Sequence, residues 1–499
     1  MLIEKPSWIK HEADDGRHAA IYSIDVHPDG SRIATGGGDN HARIWSTSPV
    51  YHQQAQDDEA NHPKLLAVAT RHDAAVNVVR WSHAGVFLAT GSDDTTVIIW
   101  RCLAGVSALG NVENWCSNTM LQGHTSDVKD LGWSPNDDLL ATCSIDNTVR
   151  VWRMDETSLS HVRLNTPLVV LKGHTSWVRG LCWDPVGKYL ASTSDDNTMI
   201  VWRTSDWKQE VSVVDPFQGA SAVSTVRRLS WSPDGRTICA SHGFKHPRHV
   251  ASIVERSTWT SKLNLVGHET AVGAVRFNNR LFHKGSSSSS SSSKSMDAAS
   301  KKKKKKEKSS RSLRSCCAVG SQDASLSVWM AGNGRALTCF HKLFEAEISD
   351  LSWNDGSLGG DGLCLFACSL DGSVCCLQFE DGDLGEITPA KRTKERLKEL
   401  YGASVSFYCC LLLFVVVCCC LLLFVLCMWG CGWLTFILCV LCFLFFPLFL
   451  SFSLLSSFPP PHSRSPPTTC SWRAQHNLQW RMRWRAHPTT TTTTTTSAL

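Results

Sequence analysis

Three times in this chain a histidine stands 22 residues ahead of an aspartate: His72 and Asp94, His124 and Asp146, His174 and Asp196. A His–Asp pair could act as a general base, with the carboxylate orienting an imidazole that takes up a proton near neutral pH. In each case, however, a tryptophan follows the aspartate by six residues: Trp100, Trp152 and Trp202. The same interval recurs from Asp39 to Trp45, from Asp323 to Trp329 and from Asp371 to Leu377, with a weaker histidine partner. A catalytic dyad is needed once, whereas a unit repeated at a fixed period belongs to the architecture. A buried carboxylate costs several kcal/mol unless donors pair with it. We therefore read His, Asp and Trp as a structural network within each unit. No phosphate loop, nucleophile elbow or metal triad accompanies them, so no catalytic, cofactor or metal site is expected and the protein is not expected to be an enzyme.

The elements that must hold these residues follow from the local pattern. Asp146-Asn-Thr-Val-Arg-Val-Trp152 is a turn followed by an alternating β-branched strand, one half of a hairpin. Upstream, segments such as Leu-Gly-Trp133-Ser-Pro-Asn and Leu-Cys-Trp183-Asp-Pro-Val-Gly are strands that end in turns. This Gly-His to Trp-Asp grammar resembles the WD-repeat family, whose units are four-stranded blades of a closed propeller. The predicted fold is all-β, a seven-bladed WD-repeat propeller over residues 1–385. Four blades end at Trp45, Trp100, Trp152 and Trp202. A degenerate fifth opens at Arg228-Leu-Ser-Trp231, a sixth ends at Trp329 and a seventh ends at Phe379. The seventh has no outer strand of its own, and Met1 to Lys10 is expected to supply it and close the ring.

Trp177 follows Gly173-His174-Thr-Ser, at a position where other units carry Asp127, Ala75 and Ala271. A site so variable in type lies outside the core. Trp177 is expected to be exposed at the rim of a face and, with Asp127, is a candidate partner contact; local packing of the indole on its loop is the alternative.

Charge divides the chain by region. The overall balance is +5, but 283–314 carries eleven Lys and Arg against two acids, and 404–499 carries five Arg and no acid. The remainder is therefore −9, which excludes a general nucleic-acid footprint on the propeller and suits a protein partner with basic segments. The stretch 283–314 reads as a disordered Ser/Lys-rich insertion inside blade six, placed between two strands of one hairpin. Its lysines Lys301, Lys302, Lys303, Lys304, Lys305, Lys306 and Lys308 are a candidate nuclear-localisation signal. Of the 22 cysteines ten lie after residue 404; the twelve others form no paired Cys-x-x-Cys sets, and no signal peptide opens the chain, which fits reduced thiols and a cytosolic or nuclear location.

Residues 386–402 read as a polar linker. From 403 to 461 no residue is charged, and Phe, Leu, Val, Cys and Ser dominate. Apart from Tyr408, nothing there needs a codon with A at its second position. Translated non-coding sequence is the preferred reading and a membrane span the alternative. Residues 462–499 are a low-complexity tail ending in a threonine run.

Particular stretches narrow the resemblance. Ser205-Asp-Trp207-Lys-Gln-Glu, Val226-Arg-Arg-Leu-Ser-Trp-Ser-Pro-Asp-Gly235, Leu265-Val-Gly-His-Glu-Thr-Ala-Val272 and Cys316-Cys-Ala-Val-Gly-Ser-Gln-Asp323 resemble the HIRA family of histone chaperones. So does Cys368-Ser-Leu-Asp-Gly-Ser-Val374, and the resemblance runs over about 1–402 outside the insertion. The resemblance implies a scaffold subunit for replication-independent nucleosome assembly and transcriptional regulation, docking a ubinuclein-type partner through its propeller. Histones and chromatin would be reached indirectly. Family elements for the anti-silencing chaperone and for self-association are not seen after Gly402. No small-molecule substrate is implied, and a membrane partner is not expected. The propeller subunit of chromatin assembly factor, and a generic WD adaptor such as a ubiquitin-ligase receptor, are the alternatives.

Overall fold

The computed structural model describes residues 1–402 except 13–15, 53–54, 56–57, 59, 106, 108–109, 156–158, 160–162, 221–224, 284–312, 332–333 and 355–361. The lysine run, the bulk of the insertion and everything from 403 onward lie outside the described residues.

Seven sheets form the ring, antiparallel except where Asn114–Gln122 pairs with Arg163–Leu164 at the edge of the second. The first blade runs Ile21–Val26, Arg32–Gly37, Ala42–Ser46 and Leu65–Ala69, from the channel outward. The second to fourth blades begin with innermost strands Val76–Trp81, Val128–Trp133 and Val178–Trp183; the fifth begins with Ser230–Trp231, the sixth with Val272–His283 and the seventh with Ile348–Trp353. Burial falls with radius. Val76–Trp81 is buried at every position, whereas the outer strand Ala336–Phe340 alternates between half-buried and exposed. A strand sandwiched between two sheets has no solvent face, so its sequence need not alternate.

Hydrophobic cores lie between blades. Ile21, Ile24 and Trp45 of the first blade pack with Phe366, Cys368 and Val374 of the seventh, and each other junction has its own cluster. No blade can bury its faces alone, so stability belongs to the ring.

The ring closes as expected. Leu2–Glu4 pairs antiparallel with Val374–Gln378 and becomes the outer strand of the seventh blade. The Met1 ammonium clamps the seam through Glu380 at 2.6 Å. In the sixth blade, His283 pairs with Leu313 across the two strands that flank the insertion.

The expected polar linker at 386–402 is corrected. Glu386–Ile387 pairs with Phe282 and His283, and Ala390–Tyr401 is an α-helix. Pro389, at the helix N-cap, supports the start. The polarity of the segment hid a stripe of half-buried residues, Arg392, Thr393, Arg396 and Leu397, that leads to buried Tyr401. Among the described residues no helix is long and apolar enough to cross a membrane.

Candidate functional site

The repeated network can be judged on geometry. In the third blade, His124 Nδ1 lies 2.8 Å from Asp146 and Nε2 lies 2.8 Å from the Thr142 hydroxyl. The Trp152 indole N–H donates to the same hydroxyl at 3.0 Å. Because Thr142 receives the indole proton, its own proton can go to Nε2, leaving Nδ1–H to donate to Asp146. The imidazole is thus neutral with both nitrogens engaged. Burial pushes the His124 pKa down, against the raising effect of Asp146. A general base needs a free nitrogen facing substrate, and this ring is about 1% exposed. The arrangement holds a blade together and does no proton transfer.

The same geometry recurs at His72, Thr90, Asp94 and Trp100 and at His174, Ser192, Asp196 and Trp202. Burial opposes ionisation of Asp94, but His72 and Thr96 hold its pKa down to about 2. The expectation of a weaker partner for Asp39 is corrected. His11 reaches Asp39 at 2.6 Å and Thr35 at 2.8 Å, completing the set with Trp45. Sequence reasoning missed His11 because it stands 28 residues ahead, not 22; the chain returns to the blade through the short pairing of His11–Glu12 with His18–Ala19. Asp323 is reached less directly, with His268 bonded to Ser325 and Ser327 and lying 3.8 Å from the carboxylate. Among the described residues Asp371 has no histidine partner. Phe344, Ala367 and Leu377 share one apolar cluster there, so the His, Thr and Trp partners are replaced together by apolar residues while Asp371 keeps its bonds from the Glu345 N–H and Ser373. Such joint replacement is tolerated where a single deletion would not be.

A second ionic system, unforeseen from the sequence, lines the channel. Asp350 of the seventh blade binds Arg80 at 2.7 Å and Arg228 at 2.9 Å. Asp130 faces the same two cations at 3.6 and 3.7 Å. The unequal distances separate the carboxylates. Burial would raise both, but Arg228 and Arg80 hold the Asp350 pKa well below its ordinary value, while burial prevails at Asp130 and raises it. The signal available in the sequence was an acidic residue set among the buried positions of an inner strand, as in Val-Lys-Asp130-Leu-Gly-Trp.

One end of the channel widens into a cavity of about 560 Å³ lined by Trp81, Trp133, Trp231, Trp353 and the helix residues Thr393 and Leu397. The helix lies against this end. Tyr401 pins it: Lys188 donates to its carbonyl at 3.0 Å, and the Arg256 guanidinium stands 3.9 Å from its ring.

The loops before the innermost strands surround the other mouth. Trp177 is 47% exposed there, with the Arg179 guanidinium 5.0 Å from its ring. Asp127 is partly exposed and bonded to Lys129 at 3.0 Å. The structure places both candidate partner contacts at equivalent positions of neighbouring blades. Among the described residues no group of His, Cys, Asp and Glu is arranged to hold a metal ion.

Residues 7–215 match the CAF1B/HIR1 beta-propeller domain. The chain is 41% identical over 422 residues to Protein HIRA of Gallus gallus, covering 81% of this chain and 38% of that protein. It is 42% identical over 413 residues to the Protein HIRA homolog of Drosophila melanogaster, covering 81% and 36%. Protein HIR1 of Cryptococcus neoformans is 38% identical over 407 residues, covering 80% and 42%. The chain belongs to the HIRA family. It spans about two fifths of the length of these relatives.

Proposed function

We propose that this HIRA-family propeller is a scaffold subunit of a nuclear histone-chaperone complex for replication-independent nucleosome assembly and transcriptional regulation. It performs no chemistry; it docks a ubinuclein-type subunit that carries basic segments, and histones are reached through that partner. The observation that supports this reading most is the extent of the similarity, about 40% identity over 81% of the chain, to proteins named HIRA. Two features agree with it: the His–Asp pairs are sealed inside the blades, and the propeller outside the insertion and tail is acidic. A rigid ring loses little entropy on binding, which favours its use as a platform.

Pull-down of the ubinuclein-type subunit by residues 1–402 tests the reading. Retention at low and moderate salt is expected. Loss at both salts, with the propeller folded, would discard the assignment; co-purification with ubiquitin-ligase subunits instead would favour the generic adaptor.

A further inference from the structure

The channel mouth opposite the helix has a pseudo-sevenfold position that separates what the fold needs from what it does not. The carbonyls of Ala20, Ala75, Asp127, Trp177, Ala271 and Glu347 each accept a bond from the backbone N–H of the following hairpin turn, at 2.9–3.1 Å, as in Asp93 to Ala75 and Asp195 to Trp177. Only the backbone is used, and alanine suffices in three blades. The fold therefore has no use for an indole at 177, yet Trp177 is exposed there with Arg179 over its ring. Arg179 stacks on it while donating to Asp195 at 2.7 Å and to the Thr225 carbonyl at 3.1 Å.

Thr225 links this anchor to Glu347. The Gln322 amide donates to the Glu347 carboxylate at 3.4 Å, and Thr225 and Gln322 both act to lower its pKa against burial. Gly273 makes room for it: a Cβ there would stand 3.0 Å from Glu347 Oε1. That oxygen is buried without a hydrogen-bond partner among the described residues. The neighbouring carboxylates are compensated, Asp93 and Asp127 by Lys129 and Asp195 by Arg179 and Arg227. No Lys, Arg or His among the described residues pairs with Glu347. Burial accordingly pushes its pKa up.

We propose that the strip Trp177–Arg179–Thr225–Glu347 is the seat of a partner segment that lays a large apolar side chain on Trp177 and places an adjacent lysine or arginine on Glu347. This rests on the docking reading above and names its site. A rigid, amphipathic indole is the kind of group that carries a binding hot spot. A cation arriving at Glu347 meets a carboxylate that has no ion-pair partner among the described residues, so the gain on binding is not offset by breaking an existing pair.

The test is a calorimetric titration of the full chain with the recombinant ubinuclein-type subunit. Trp177→Ala is expected to weaken binding about 30-fold or more, and Glu347→Gln about tenfold. Leu103→Ala, which removes an equally exposed apolar side chain away from the mouth, should leave affinity unchanged. Both mouth variants should melt as the parent does, because blades with alanine at this position are intact. Parent-like affinity in both folded variants overturns the site while leaving the docking reading standing. Failure of the parent chain to bind overturns both. Preferential binding of a polyglutamate peptide in a Trp177-dependent manner overturns the charge assignment.

Discussion

At the scale of single residues, two ionic systems do different work. The blade networks pair a neutral imidazole with a carboxylate, and their protonation sets acid stability. Asp94, Asp146, Asp196 and Asp323 have folded pKa values below ordinary, and so do His11 and His124. For each, the unfolded chain binds its proton at higher pH than the folded chain. The stability they contribute is therefore present above the unfolded pKa and lost as pH falls toward the folded one. Urea unfolding should show a first decline below about pH 6.5 from the histidines and a steeper one below about pH 4 from the aspartates. Asp94 alone, held near 2, should account for roughly 2 kcal/mol. A flat profile from pH 7 to 5 would contradict the neutral-imidazole assignment. In the channel, Asp350→Ala strands Arg80 and Arg228 beside the single, more distant Asp130. Loss of about 3–5 kcal/mol is expected in the same measurement. Asp127→Ala, at the solvent-facing mouth, should cost under about 1 kcal/mol.

At the scale of elements, closure depends on the N-terminal segment in three ways. Leu2–Glu4 completes the last sheet, Ile9 is buried at the seam, and His11 completes the first blade's network. Deleting residues 1–12 should lower Tm by about 5 °C or more, since each kcal/mol moves a large domain by a few degrees at most. An unchanged Tm would mean that the ring does not rely on this strand. The C-terminal helix depends on fewer contacts. Its fixing point is Tyr401, set between Lys188, Arg256 and Gly235. Tyr401→Ala should expose Lys391, Lys394 and Lys398 to rapid trypsin cleavage while the propeller's Tm changes little. Equal cleavage of variant and parent would show that the helix is held elsewhere.

At the scale of the whole molecule, the candidate localisation signal lies in the insertion and outside the blades. If Lys301–Lys306 and Lys308 direct nuclear import, replacing all seven with glutamine should shift a fluorescent fusion toward the cytoplasm, with partner affinity in vitro unchanged. Retained nuclear signal would leave import to a bound partner or to another segment. The basic insertion enters and leaves between paired strands at His283 and Leu313, so this substitution spares the hairpin.

The sequence alone was enough for the architecture, because a β-propeller writes its period into the chain. Six turn aspartates at one interval from a strand end, most of them ending in tryptophan, define the blades, and a missing last strand with a spare first one defines the seam. His124, Asp146 and Trp152 were legible together because all lie within one repeat. What only the tertiary structure decided is whatever meets across blades. Asp350 meets Arg80 and Arg228 from residues 270 and 122 positions away in the chain, Glu347 reaches Thr225 past Gly273, and Tyr401 finds Gly235 across the end of the ring. Local period fixes which strand a residue is on; it carries no record of which side chains converge on the axis. Convergence comes from closing the ring, and the candidate docking strip exists only once it has closed.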